Sequence, residues 1–188
     1  MRAPTIAVLC ASLVLTGYTI PIKPSPVIAV KERLNLYVGV LIPRAEARRT
    51  TKVGGKTYKT GSALKVGAMN TFQQMFTNVF ELETRKQASA TRDLQLLLLP
   101  RVVSFDIDSN GNATVVLGCM LTNVNDRVLM DSTWTGSSSP VEPAGQAGGG
   151  HEAGKIDMAK SGSEAFEAAF KQMAEAVVPA LHRTSYRN

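Results

Sequence analysis

Three apolar runs separated only by short turn sequences, at residues 94 to 107, 115 to 121 and 128 to 134, constrain this chain more than any other feature. Their lengths and their share of Val, Ile, Phe and Thr suit strands. Asp108-Ser-Asn-Gly-Asn112 divides the first two runs and Asn123-Val-Asn-Asp-Arg127 the last two. Both linkers are built from residues that tolerate a reversed backbone. Strands joined this closely pair as antiparallel neighbours, because a parallel crossover needs a dozen or more residues. A three-stranded meander is therefore predicted. Pro100, with no N–H for a ladder, is expected at a bulge or an edge position.

The flanks supply one more strand and two helices. Residues 34 to 42 alternate partly and then run apolar up to Pro43, which reads as a strand buried on at least one face. Beyond a basic loop, Ser62 is a candidate N-cap, and Leu64, Ala68, Phe72, Met75, Phe76, Val79 and Phe80 form one apolar stripe. That spacing predicts an amphipathic helix of about five turns whose Phe and Met residues are core. Ser161 with Glu164 reads as a capping box, ahead of a second stripe of Phe166, Ala169, Phe170, Met173, Ala176, Val177 and Leu181. The stretch 136 to 162, rich in Gly, Ser, Pro and Ala, is expected as a flexible connection. The order β-α-β-β-β-α follows. One layer of strands and two amphipathic helices make an α+β two-layer sandwich, both helices on one face of a mostly antiparallel sheet. A single domain is expected over 34 to 183, with a tail at 184 to 188.

Residues 1 to 22 have another character. A single arginine, an apolar run and a small-residue turn ahead of Pro21, Pro24 and Pro26 follow the layout of a bacterial export signal, expected over 1 to 20. Leu15-Thr16-Gly17-Tyr18 resembles the lipobox of bacterial lipoproteins except at its last position, where a phenol cannot replace the cysteine thiolate that takes the lipid. Three outcomes stay open: a relative of lipoproteins that has lost the cysteine, a cut near Thr19 that releases a periplasmic domain, or an uncut anchor. Residues 21 to 33 read as an extended, proline-stiffened tether. With Cys10 inside the signal, the mature chain holds only Cys119 and can form no internal disulfide. Cys119 lies in an apolar run, where a thiol acts as a small buried hydrophobe.

The formal net charge is +6, and the segment from Arg44 to Lys65 carries seven Lys or Arg against the single Glu46, so the rest of the chain is neutral. Cations gathered this way attract anionic partners over roughly a Debye length, about 8 Å. Arg48, Arg49, Lys52, Lys56 and Lys59 are the candidate anion-contact residues. Outside the cytoplasm the anions on offer are phospholipid or lipopolysaccharide head groups, peptidoglycan carboxylates or an acidic protein surface, which argues against nucleic acid. A solvated loop that only keeps the chain soluble is the competing reading.

Catalytic and metal motifs fall short. Asp106-Ile-Asp108-Ser-Asn110-Gly111 matches the start of a calcium-binding EF-hand loop, but its twelfth position is Leu117 where a bidentate Glu belongs. Gly54-Gly55-Lys56-Thr57 resembles the end of a phosphate-binding loop, yet the first glycine is replaced by Thr50. His151 and His182 are the only imidazoles and have no Cys, His or carboxylate at ligand spacing. No catalytic residue, metal or cofactor is assigned, and a hydrolase using Cys119 or a serine is the minority expectation.

The run ending Leu-Thr-Gly, the strand Tyr37-Val-Gly-Val-Leu-Ile-Pro43, the helix after Gly61, the Leu-rich strand to Pro100 and the final Ala-rich helix together resemble small bacterial outer-membrane lipoproteins. The likeness is to the α/β domains of the YajG, CsgG and lipopolysaccharide-assembly type and to the N-terminal domain of TolB. It implies a non-enzymatic accessory role in assembly or transport of an envelope component, in the periplasm at or near the outer membrane. The implied partners are an envelope protein complex or an anionic envelope polymer or lipid, with a homo-oligomer open. Direct binding of peptidoglycan, lipopolysaccharide or lipid by residues 44 to 65 is the alternative.

Overall fold

The meander forms where the turn sequences require it. A computed structural model describes residues 18–139 and 151–185, with side chains of the last helix described from Met158 to Leu181. The export-signal region 1–17, residues 140–150 and the side chains of His151 and His182 lie outside the described residues. In chain order the elements are β1 Thr19–Ile20, β2 Leu34–Leu41, α1 Arg44–Ala47, β3 Thr51–Val53, β4 Lys56–Tyr58, α2 Thr60–Met75, β5 Phe76–Leu82, α3 Arg85–Ala90, β6 Leu96–Ile107, β7 Ala113–Asn123, β8 Val128–Ser137 and α4 His151–Ser185. β6, β7 and β8 pair antiparallel, with Leu98 opposite Leu121 and Leu117 opposite Trp134. Pro100 lies beyond the three residues where β2 pairs with β6, so it sits where β6 has a neighbour on one side only.

The α+β sandwich expected from the sequence is the fold observed, with a larger sheet. Five strands run in the order β5-β2-β6-β7-β8, and β2 is parallel to both β5 and β6. The first helix ends at Met75, not about Phe80 as its apolar stripe predicted. Phe76-Thr-Asn-Val-Phe-Glu-Leu82 carries aromatic and β-branched residues and pairs along the edge of β2, a ladder that outweighs the helical spacing. α2 and α4 cover the inner face, where Val38, Val40, Leu98, Leu117 and Leu121 are buried against Phe72, Phe166 and Phe170. On the outer face Leu41, Leu82 and Leu97 make a small second cluster with Leu94 and Ala88.

Two further sequence expectations are corrected. α4 begins at His151, so the last part of the presumed flexible connection 136 to 162 is helical. Ser161 accordingly lies inside the helix and does not cap it. Its buried hydroxyl donates to the Gly111 carbonyl (2.8 Å) and accepts from the Ala113 N–H (2.9 Å), tying α4 to the β6–β7 turn. The presumed tether is extended, as its prolines dictate, but it is docked. Ile20, Ile22, Pro24 and Pro26 turn inward while the alternate residues face out, the period-2 pattern of a strand with one buried face. The Lys23 N–H donates to Ser163 Oγ (3.1 Å) and the Ser25 N–H to Glu167 Oε1 (2.8 Å), both on α4. Gln74 of α2 accepts from the Ile28 N–H (3.1 Å) and donates to the Pro26 carbonyl (2.9 Å). Ile20 and Ile22 each contribute about 1.5–3 kcal/mol of apolar burial to holding this strap.

Missing side chains let α4 settle. A Cβ on Gly136 of β8 would overlap the Ala165 carbonyl oxygen, and one on Gly67 of α2 would overlap the Phe170 ring. A Cβ on Gly162 of α4 would meet Ile22 of the strap at 3.2 Å. Gly136→Ala, which presses on backbone, is expected to cost roughly 3 kcal/mol or to prevent folding, whereas Gly162→Ala costs under about 1.5 kcal/mol because only the Ile22 side chain must shift. Urea unfolding of the two variants checks this ordering.

Candidate functional site

The basic segment is ordered, and its order follows from local chemistry. Pro43 ends β2, and Glu46 of α1 and Arg49 just beyond it reach β6, where the ladder to β7 slips in register between Val102 and Ser104. Glu46 Oε1 accepts from the Val102 N–H (3.2 Å), while Arg49 Nη1 donates to the Val102 carbonyl (2.6 Å) and to Glu46 (3.3 Å). One ion pair thus satisfies both backbone groups of a bulge residue. Gly61 lets α2 start hard against the end of α1, since a Cβ there would overlap the Glu46 carbonyl.

Gly54 and Gly55, at φ of +54° and +75°, then close a two-residue hairpin between β3 and β4, which side chains would resist. The hairpin accounts for the paired glycines that resemble a phosphate-binding loop. β1 adds to β4 in parallel, Thr19 beside Thr57 and Ile20 beside Tyr58, giving a second sheet ordered β1-β4-β3. Tyr58 anchors this small sheet to the core. Its ring lies 5.3 Å from Phe105, which is 6.1 Å from Phe166, and burial pushes its phenol above the usual range.

The five predicted cations share this end of the molecule but not one environment. Arg48, Lys52 and Lys59 are exposed and have no ion-pair partner among the described residues. Arg49 is committed to Glu46 and the β6 backbone, and Lys56 Nζ lies 2.9 Å from Met158 Sδ of α4. Arg44, not singled out from sequence, belongs with the free group: it is exposed and stands one helical turn before Arg48 on α1. Its place in the Arg44 to Lys65 charge count was the available signal. Lys65 is drawn off by Glu81.

Of the groups singled out by the sequence, Asp108 is occupied and Cys119 is sealed. Asp108 accepts from the N–H groups of Asn110 (2.8 Å) and Asn112 (2.9 Å) and from Asn112 Nδ2 (2.9 Å), with Gly111 at φ +84°. The calcium-like residues therefore form a β-hairpin turn, and hydrogen bonds from Asn112 above all hold the Asp108 carboxyl below the usual aspartate range. Cys119 is fully buried on the inner sheet face, where burial pushes its thiol up to about 12. Among the described residues no three His, Cys, Asp or Glu converge as a metal site, and no helix is long and apolar enough to cross a membrane. Among the described residues lie a groove of about 700 Å³ between the strap and α4, lined by Ile28, Leu34, Met75 and Val178, and a cleft of about 500 Å³ bounded by the Arg85–Asp126 ion pair.

No protein-family model matches the chain, and no curated protein matches its sequence. Among solved structures it is similar to protein XCC0632 from Xanthomonas campestris, described under family-model DUF330, with a TM-score of 0.61 and 13% identity over 90% of this chain and 99% of that one. A more distant likeness, at a TM-score of 0.46 and 14% identity over 79% of this chain and 93% of that one, is to a point variant of PelC from Paraburkholderia phytofirmans, described as a dodecamer. The first of these establishes a shared fold, spanning nearly the whole of both chains.

Two outcomes follow for these two groups. A thiol reagent at pH 8 is expected to leave Cys119 unlabelled in the folded protein, where the thiol is buried and held protonated, and to label it fully in urea; prompt labelling of the native state would contradict its burial. The Asp108 carboxyl, followed by NMR, is expected to titrate below the ordinary aspartate range. Because its folded value is the lower one, its contribution to stability is present above the ordinary value and fades as pH falls through the folded value.

Proposed function

We propose that this chain is a non-enzymatic accessory protein of the bacterial cell envelope, held at the periplasmic face of a membrane near the outer membrane, where it supports assembly or transport of an envelope component. One observation carries the reading: the export-type run ends in sequence where a strap built into the fold begins, at Tyr18 to Ile20. The resemblance to YajG, CsgG and the N-terminal domain of TolB, and the fold shared with XCC0632, support it at the level of architecture. The non-enzymatic part of the proposal is supported by the two groups the sequence offered for chemistry, since the Cys119 thiol is sealed in the core and the Asp108 carboxylate is spent on a turn.

A second reading, direct binding of peptidoglycan, lipopolysaccharide or lipid, is favoured by the exposed cations Arg44, Arg48, Lys52 and Lys59. The proposed contact set narrows to these, with Arg49 and Lys56 acting chiefly in the fold. Both readings meet in one experiment. Replacing Arg48, Lys52 and Lys59 together by Gln is expected to lower retention on isolated envelopes by about an order of magnitude at low salt and little at 1 M salt, where screening already removes the attraction. Retention unchanged at low salt would remove these cations from the account. Loss of binding to lipid or peptidoglycan alone, with a protein partner still captured, would favour the second reading.

A further inference from the structure

The parallel pairing of β1 with β4 fixes where the chain joins the domain. Thr57 stands between Thr19 on one side and Lys52 on the other, in register across three strands. Neighbouring strands lie about 4.8 Å apart, so Lys52 is roughly 10 Å from the point at which the apolar N-terminal run meets the fold. Lys59 is closer still, since its N–H donates to the Ile20 carbonyl at 3.0 Å. Arg44 and Arg48 extend the same surface through α1, which abuts the start of α2 at Gly61. The segment from Arg44 to Lys59 contains one carboxylate, Glu46, and that group is already engaged by Arg49 and the Val102 N–H. Among the described residues, Arg44, Arg48, Lys52 and Lys59 therefore have no ion-pair partner.

We infer that the surface of α1 and the β3–β4 hairpin is the face on which the domain lies against an anionic phospholipid bilayer, the side from which its N-terminal run arrives. The inference rests on the envelope reading and adds an orientation and a lipid class to it. Electrostatic attraction to lipid phosphates falls off within about 8 Å at physiological salt, so cations spread over the molecule would do little once the chain was anchored. Cations within roughly one strand pair of the point where the run meets the fold stay close to this range and keep part of the attraction.

The test uses the unprocessed full chain with Cys10→Ser, leaving the buried Cys119 unreactive. A fluorophore is placed through Thr50→Cys, beside β3, or through Val124→Cys, in the exposed β7–β8 turn. Leu96, the partner of Asn123, lies six residues along β6 from Val102, so the two labels are separated by roughly 20 Å. In phosphatidylglycerol and phosphatidylcholine vesicles with brominated acyl chains, the label at 50 is expected to be quenched several-fold more than the label at 124. The preference should collapse in pure phosphatidylcholine and in the Arg48→Gln, Lys52→Gln, Lys59→Gln variant. Equal quenching at both positions on a bound chain overturns the orientation and leaves the envelope reading standing. A full chain that fails to associate with either vesicle overturns both.

Discussion

α4 can reach the core only because its neighbours give up side chains where it passes. Gly136 admits the Ala165 and Ala169 backbone to β8, and Gly67 receives the Phe170 ring from α4. At that depth Phe166 and Phe170 close a chain of rings through Phe105 to Tyr58, so the helix, the central sheet and the small basic sheet share one core. Ser161 makes the seat directional, because its hydroxyl bonds Gly111 in the β6–β7 turn and Ala113 at the start of β7, and so fixes how far α4 slides along the sheet. Such an arrangement tolerates little adjustment, since a close-packed interior transmits the shift of one element to the next.

From α4 the dependence runs outward to the chain's N-terminal side. Lys23 and Ser25 bond Ser163 and Glu167, and Ile22 rests on Gly162, so the strap exists only where the helix supplies its surface. The strap in turn delivers β1 to β4, which completes the hairpin carrying Lys52 and borders Lys59. Function, on the account proposed here, is a matter of placement. Exposed cations are individually weak, and they gain consequence from standing around the point where an apolar run joins a rigid body.

Legibility in the sequence varied with the kind of signal. The meander and the second helical stripe were readable because strand runs bounded by Asn, Asp and Gly, and apolar residues spaced at three and four, describe the same packing that forms. β5 was hidden because Phe76, Val79 and Phe80 also continue the stripe of α2, and only the pairing with β2 decides between them. The start of α4 was hidden by glycines at 154 and 162 and by the proline-rich stretch before it, composition that reads as a loop when the partners of a helix are unknown. The strap carried a signal that went unused, Ile20, Ile22, Pro24 and Pro26 at every second position. For the site, the charge count found the correct segment, but no spacing could tell that Arg49 would turn to the Val102 carbonyl while Arg44 stayed free.

The central claim is that the domain begins at the strap, with no free tether between it and the apolar run. Native-state hydrogen exchange of the Lys23, Ser25 and Ile28 amides tests it most directly, because each donates to a side chain of α2 or α4. The account predicts that these three amides are protected and open together with the α4 amides that face them. Exchange at the rate of an unstructured chain, with α4 still protected, would contradict it and restore a free tether between anchor and domain.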